Sequence, residues 1–262
     1  MIQKKSLGQH FLTDKNIARK IVREAGITSC DEVWEIGSGR GILTKCLLEK
    51  CRTLTVFEID AQWVDYLKGH FDDPKLIIVH ADILDVDFYN YSREEPLKIV
   101  ANLPYQITSP LLFRILDFCE LISTITIMIQ DEVADRLCAS PGNKDYGRLS
   151  VKVQLFFNVT KLFTVPAHVF SPPPKVISAV VKLLPRRKAY RINDEKTLWN
   201  LIDTVFTYRR KMLRKSLSNI LDDQELETLK QSFTLDLQRR PETLSIQEFV
   251  ELANQINNIR GT

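Results

Sequence analysis

At 262 residues, the chain has room for one large domain or a large one with a small companion. Its 44% hydrophobic and 26% charged residues are ordinary for a globular protein. No apolar run approaches the ~20 residues of a membrane span, and the longest, Leu121 to Ile129, is broken by Ser and Thr. Five cysteines without a CxxC pair and four scattered histidines argue against a disulfide framework and a metal site, and favour a reducing, cytoplasmic setting. The functional pattern begins at Gly8, so no signal or transit peptide is expected. The net charge of +3 hides a pattern: residues 1–23 carry +5 and residues 186–215 carry +7, leaving −9 for the remainder. Two basic segments on an acidic body predict a polyanion partner, against the alternative of two solvated helix faces.

In chain order, Thr13-Asp14 can cap a helix that runs to Ala25 and stops at Gly26. Short apolar runs then alternate with helical patterns. Strands are expected at Glu32–Ile36, Thr53–Phe57, Leu76–Val79 and Leu97–Ala101, and helices at Ile42–Lys50, Ala61–His70 and Ser109–Phe118. That alternation predicts an α/β fold with a parallel sheet covered on both faces. Ser123–Ile129 reads as a further strand and Asp131–Cys138 as the helix after it. Leu149–Phe157, Lys161–Val165 and Val176–Leu184 read as strands without intervening helices, an antiparallel end to the sheet. Beyond Pro185 the pattern is helical only. Leu198, Leu201, Ile202, Val205, Phe206, Leu213 and Leu217 approximate one apolar stripe, with Arg210 and Arg214 on a shared face and Lys211 and Lys215 on another. Helices are also expected at Asp223–Lys230 and Ile246–Ile256. An α/β domain at 1–189 and a small all-helical domain at 190–262 follow.

Glu35-Ile36-Gly37-Ser38-Gly39-Arg40-Gly41 turns from a strand into a helix, and its glycines let a ligand approach the backbone. The spacing is GxGxG, with Ile42 in the place of the third glycine of a dinucleotide fingerprint. Glu58 ends the next strand, 21 positions after Gly37, where a carboxylate can accept from both ribose hydroxyls. Asp82 ends the third strand and can accept from an adenine amine. Asn102-Leu103-Pro104-Tyr105 ends the fourth. An adenine amine is a poor nucleophile because its lone pair is delocalised into the ring. The Asn102 side-chain carbonyl and a backbone carbonyl near Leu103-Pro104 can accept its two N–H bonds and favour a pyramidal nitrogen. Pro104 stiffens the turn, and Tyr105 offers a ring for stacking. An adenosyl cofactor beside an amine-methylating turn points to S-adenosyl-L-methionine.

With those motifs in place, the whole chain resembles the small-subunit ribosomal RNA adenine dimethyltransferases, the KsgA/RsmA family. The segments that carry the resemblance are Gly8–Leu12, Glu35–Gly41, Phe57–Asp60, Ala81-Asp82, Asn102–Tyr105, Asp145–Val151, Phe170–Val176 and Tyr208–Lys211, in family order. The resemblance implies a seven-stranded, Rossmann-like class I methyltransferase sheet with a small all-helical C-terminal domain. It implies cofactor contacts at His10, Leu12, Gly37, Glu58, Asp82 and Asn102, and a base clamp of Tyr105 with Phe170. For Phe170 the residues alone read as a core side chain before a proline-stiffened loop. One departure from bacterial relatives is Ile177, where Asp is frequent.

The expected function is dimethylation of the N6 amines of two adjacent adenosines near the 3′ end of small-subunit (16S) rRNA, within an assembling 30S particle. RNA contacts are expected at Arg209, Arg210, Lys211, Arg214 and Lys215, facing the same groove as the basic N-terminal arm. A monomer that needs no metal is expected. Three alternatives stand beside this: an Erm-type large-subunit rRNA methylase, a non-catalytic nucleic-acid binder on the same fold, and an NAD(P) oxidoreductase. Gly8, Tyr146–Val151 and Tyr208–Lys211 speak against the first, the intact Asn102–Tyr105 against the second, and the GxGxG spacing against the third.

Overall fold

The computed structural model describes residues 10–91, 96–186 and 190–261. The chain divides into two compact units: the residues through Ala134 with Asn158–Pro185, and Asp135–Phe157 with Arg186–Thr262. A single cut near 190 therefore misses one exchange, because residues 135–157 leave the first unit for the helical one. No helix among the described residues is long and apolar enough to cross a membrane.

The first unit opens with a two-residue strand, β1 (Phe11–Leu12), and helix α1 (Lys15–Ala25). Asp14 caps α1 by accepting the N–H groups of Asn16 and Ile17 at 2.7 and 3.2 Å, and Gly26 ends it with φ +65°. Then come β2 (Glu32–Ile36), α2 (Ile42–Leu48), β3 (Thr53–Glu58), α3 (Ala61–His70), β4 (Leu76–His80), β5 (Leu97–Asn102), α4 (Thr108–Leu116), β6 (Ile122–Gln130) and α5 (Asp131–Cys138). After α6 (Arg148–Phe156) follow β7 (Phe157–Val165), β8 (Phe170–Ser171) and β9 (Ser178–Pro185). The seven-stranded sheet has the order β4-β3-β2-β5-β6-β9-β7, and β1 pairs with β8 in a separate antiparallel ribbon. Strands β2 to β6 are parallel, and β9 runs antiparallel to β6. This is the α/β, Rossmann-like sheet expected from the sequence.

Register aligns the strand ends. Ile36 of β2 lies opposite Ala101 of β5 and Phe57 of β3, while Glu58 lies opposite His80 of β4. Gly37, Glu58 and Asn102 therefore sit side by side at one edge, with Asp82 just beyond β4. From β2 the chain order runs outward through β3 and β4 on one side and through β5 and β6 on the other. The crevice between the ends of β2 and β5 is thus a topological switch point, where open sheets of this kind take their ligands.

In the second unit α6 replaces the strand expected at Leu149–Phe157. The alternating Leu149, Val151, Val153 and Leu155 read with a period of two, yet Val151 and Leu155 are also spaced for one helix face. Packing decides: both join Tyr146, Leu198, Leu201, Ile202 and Val205 in a single buried cluster. Local bonds agree, since the Gly147 N–H donates to Ser150 Oγ at 3.0 Å and Gln154 Nε2 donates to the Leu137 and Ala139 carbonyls at 2.7 and 2.9 Å. The remaining helices are α7 (Glu195–Thr207), α8 (Leu213–Leu217), α9 (Asp223–Ser232) and α10 (Ile246–Ile259). Capping boxes open two of them, Asp222 with Glu225 at α9 and Ser245 with Glu248 at α10.

The apolar stripe expected across residues 198–217 is broken at Tyr208–Met212. In one continuous helix the Leu213 and Arg214 N–H groups would bond residues 209 and 210. They donate instead to the Arg239 and Leu237 carbonyls at 2.8 and 2.9 Å, so α8 starts as a separate helix. Arg210 and Arg214 thus share no helical face, nor do Lys211 and Lys215.

Ser150 is fully buried and serves both the Gly147 amide and, as donor, the Arg136 carbonyl. Ser150→Ala should destabilise the protein by about 1–3 kcal/mol, measured by urea denaturation. An unchanged midpoint would mean the start of α6 does not depend on this hydroxyl.

Candidate active site

The strand ends and β1 enclose a cleft with about 1090 Å³ of empty space, counted out to its open mouth. Ten residues singled out in the sequence line it: His10, Leu12, Gly37, Glu58, Asp82, Asn102, Leu103, Pro104, Tyr105 and Phe170. Glu35 and Phe11 line it as well. Both were missed as site residues, although an acid inside the apolar run Val33-Trp34-Glu35-Ile36 is a signal that could have found Glu35.

The glycine turn is open for a physical reason. Gly37 has φ +72°, and a Cβ there would project to 3.9 Å from Pro104 Cδ and 4.0 Å from the Asn102 carbonyl, into the gap between two strand ends. At Gly39 (φ +50°) a Cβ would fall 2.6 Å from Phe11 Cε1. Phe11 packs edge-on to Trp63 at 4.9 Å and carries the Arg40 guanidinium 5.0 Å from its centroid, so this wall of the cleft cannot easily yield.

Two carboxyls are buried here. Glu58 Oε2 accepts the Gly39 N–H at 3.1 Å, and Oε1 accepts the Asp60 N–H at 3.1 Å. Burial raises its pKa above the usual carboxyl value, against the lowering effect of those two backbone donors. Glu35 is deeper: Thr44 Oγ1 donates to Oε2 at 2.6 Å, and Oε1 has no hydrogen-bond partner among the described residues. Burial, reinforced by the nearby Glu58 charge, pushes its pKa up to about 8. Asp82 is half-buried, lines the cleft, and accepts the Leu84 N–H on Oδ1 at 2.9 Å, a turn closure.

Asn102 Nδ2 donates to the His10 carbonyl at 3.3 Å, which orients the amide and leaves Oδ1 as its acceptor. The Leu103 N–H donates to Met128 in β6 at 3.2 Å, and the Pro104 carbonyl accepts the Ile107 N–H at 3.1 Å. Of the two backbone carbonyls considered near this turn, Leu103 is thus the one not engaged by Ile107. The Tyr105 ring lies 5.7 Å from the His10 imidazole at 30°, and its hydroxyl is 3.0 Å from Ser178 Oγ. His10 Nδ1 donates to the Pro172 carbonyl at 2.8 Å. Phe170, 4% exposed, pairs through its backbone with Leu12 and both lines the cleft and joins the core.

The basic residues are divided. Arg209 is held inside the helical unit, its Nε 2.7 Å from Glu242 Oε2 and its Nη2 donating to the Lys144 carbonyl. Arg210, Lys211, Arg214 and Lys215 are exposed. Arg209 also borders a second, polar cleft of this unit with Arg136, Lys144, Arg148, Asp145 and Asp203. Gly8, the N-terminal arm with Lys4 and Lys5, and Arg187 and Lys188 lie outside the described residues.

Glu35 carries a pH dependence of known sign. With its folded pKa near 8 against 4.5 for an ordinary glutamate, the folded state holds a proton there that the unfolded state releases. Stability should therefore fall as pH rises from about 5 to 8, by at most about 1.4 kcal/mol per pH unit from this group. Glu35→Gln should flatten that slope in denaturation of the ligand-free protein at pH 5.5 and 7.5. Parallel pH profiles for the two proteins would show that Glu35 is already ionised.

The family model for ribosomal RNA adenine dimethylase matches residues 2–258. Ribosomal RNA small subunit methyltransferase A of Acinetobacter baylyi is 44% identical over 97% of this chain and 92% of its own length. The protein of the same name from Laribacter hongkongensis is 42% identical over 97% and 96%. Among solved structures, a dimethyladenosine transferase from Plasmodium falciparum superposes with TM-score 0.81 at 28% identity, covering 96% of this chain and 98% of that one. The 23S rRNA methyltransferase ErmE superposes with TM-score 0.65 at 25% identity, covering 94% and 99%. The chain belongs to the ribosomal RNA adenine dimethylase family, and it is an enzyme that methylates rRNA adenine with S-adenosylmethionine as methyl donor.

Proposed function

We propose that the protein dimethylates the N6 amines of two adjacent adenosines near the 3′ end of small-subunit rRNA, acting as a monomer on an assembling 30S particle in the cytoplasm. One observation carries this reading: a single cleft joins a glycine turn, two strand-end acids and the Asn102–Tyr105 turn. The small-subunit assignment is supported by relatives of that name at 40–44% identity over nearly the whole chain, against 25% for the ErmE structure.

The cleft suits the cofactor. Gly37 leaves room at the turn, Glu58 keeps lone pairs for ribose hydroxyls beyond those that Gly39 and Asp60 use, and Asp82 offers an oxygen for an adenine amine. His10, Leu12 and Asn102 complete the wall. When bound, S-adenosylmethionine supplies an electrophilic methyl group on a sulfonium. The target adenine is unstacked and held between Tyr105 and Phe170. Asn102 Oδ1 and the Leu103 carbonyl accept the two amine hydrogens, and Pro104 keeps their spacing rigid. The nitrogen lone pair is thereby released from the ring and aimed. The methylated nitrogen is acidic enough to lose its proton to water, so the residues act by alignment and electrostatics. Arg210, Lys211, Arg214 and Lys215 hold phosphates, with Arg209 bracing the turn that carries them.

Three groups of variants test the parts. Asn102→Ala should abolish most methyl transfer, whereas Tyr105→Ala and Phe170→Ala should weaken base binding by ~1–3 kcal/mol with cofactor affinity nearly intact. Full turnover in Phe170→Ala would return that ring to a purely core role. Glu58→Ala should weaken S-adenosylmethionine binding by ~1–3 kcal/mol, and Glu58→Gln, which keeps an acceptor for the Gly39 amide, by less. Undiminished affinity in a folded Glu58→Ala protein would remove the ribose assignment.

The RNA side is tested separately. Replacing Arg210 and Arg214 together by Gln should lower rRNA affinity and flatten its salt dependence by roughly one log–log unit per lost duplex contact, with cofactor affinity unchanged. An unaltered slope in the stable double variant would make these charges ordinary solvated groups.

A further inference from the structure

Tyr105 follows Pro104 in the short turn after β5, and a ring used for stacking there must keep a fixed plane. Its hydroxyl is 3.0 Å from Ser178 Oγ, and Ser178 is 1% exposed. A buried hydroxyl needs a partner, and the half-buried Tyr105 phenol supplies that of Ser178. Ser178 is itself held in the sheet. It is the first residue of β9, paired across to Gln130 of β6, and the preceding Ile177 carbonyl accepts the Asp131 N–H at 3.0 Å. The ring face is braced as well, by the His10 imidazole, which donates to the Pro172 carbonyl. Phe170 begins the same stretch of chain in register with Leu12.

We infer that Ser178 is a positioning residue for the Tyr105 ring, and that the segment from Phe170 to Ser178 sets both faces of the adenine clamp. Phe170 provides one face directly, while Pro172, through His10, and Ser178, through the phenol, hold the other. Burial raises the Tyr105 phenol pKa, so the hydroxyl stays protonated and serves as an anchor. The consequence is kinetic: a ring free to tilt would misplace the amine, and small misplacements at a reacting centre cost large factors in rate. This inference rests on the clamp role proposed above for Tyr105.

The test compares steady-state methylation of undermethylated small subunits by wild type, Ser178→Ala, Tyr105→Phe, the double variant and Tyr105→Ala. Each of the first two single changes should lower kcat about tenfold, with KM for the particle and affinity for S-adenosylmethionine little changed. The double variant should be no slower than either single one, because both changes remove the same bond. Wild-type kcat in a folded Ser178→Ala protein, or losses that multiply in the double variant, would overturn the inference. Should Ser178→Ala not fold, Tyr105→Phe removes the same bond from the other side and decides alone. Tyr105→Ala separates the two levels of the argument. If it turns over normally, the clamp itself is wrong. If it is impaired while Tyr105→Phe and Ser178→Ala are not, only the positioning role falls.

Discussion

The parallel register between β2 and β5 is the constraint on which the site depends. With Ile36 opposite Ala101, the residues that leave the two strands, Gly37 and Asn102, are neighbours by construction. Because the strand order reverses between them, no crossover helix covers the gap. One side of the crevice then carries the open glycine turn and the carboxylate of Glu58, and the other carries the amine acceptors. A shift of β5 by one residue would turn the Asn102 side chain to the other face of the sheet.

The same crevice concentrates buried acid. Glu35 and Glu58 both lie in low-dielectric surroundings, the Glu58 charge adds to the cost of ionising Glu35, and Glu35 Oε1 has no hydrogen-bond partner among the described residues. Such an arrangement lowers stability and is the kind of local conflict found where a site has a use beyond folding. A ligand bearing positive charge compensates it better than a neutral one, which agrees with a sulfonium donor.

Much of this organisation was legible in the sequence, and the exceptions have physical causes. The strand Glu32–Ile36 is a short, mostly apolar run and the helices Lys15–Ala25 and Ala61–His70 carry aspartate caps; these, and the helix Asp131–Cys138, appear within the expected bounds. The segment Leu149–Phe157 carries both periodicities at once, and only its packing against Leu198, Leu201 and Val205 selects the helix. That same packing moves residues 135–157 into the helical unit, a long-range choice that no local pattern announces. Glu35 passed as part of a glycine motif because burial of its carboxyl is a property of the sheet. Arg209 looked equivalent to Arg210, and the approach of Glu242, 33 positions away, and of the Lys144 carbonyl distinguishes them. The juxtaposition of Ser178 with Tyr105, 73 positions apart, is likewise a product of strand order.

The central claim is that one crevice holds an adenosyl group and a target amine at adjoining strand ends. A crystal structure with S-adenosylhomocysteine and adenosine bound together tests it most directly. The account predicts ribose hydroxyls on Glu58, and the N6 amine of the second adenine within hydrogen-bonding distance of Asn102 Oδ1 and the Leu103 carbonyl, its ring between Tyr105 and Phe170. An adenosine ring bound away from Asn102–Tyr105, or a cofactor ribose with no contact to Glu58, would contradict it.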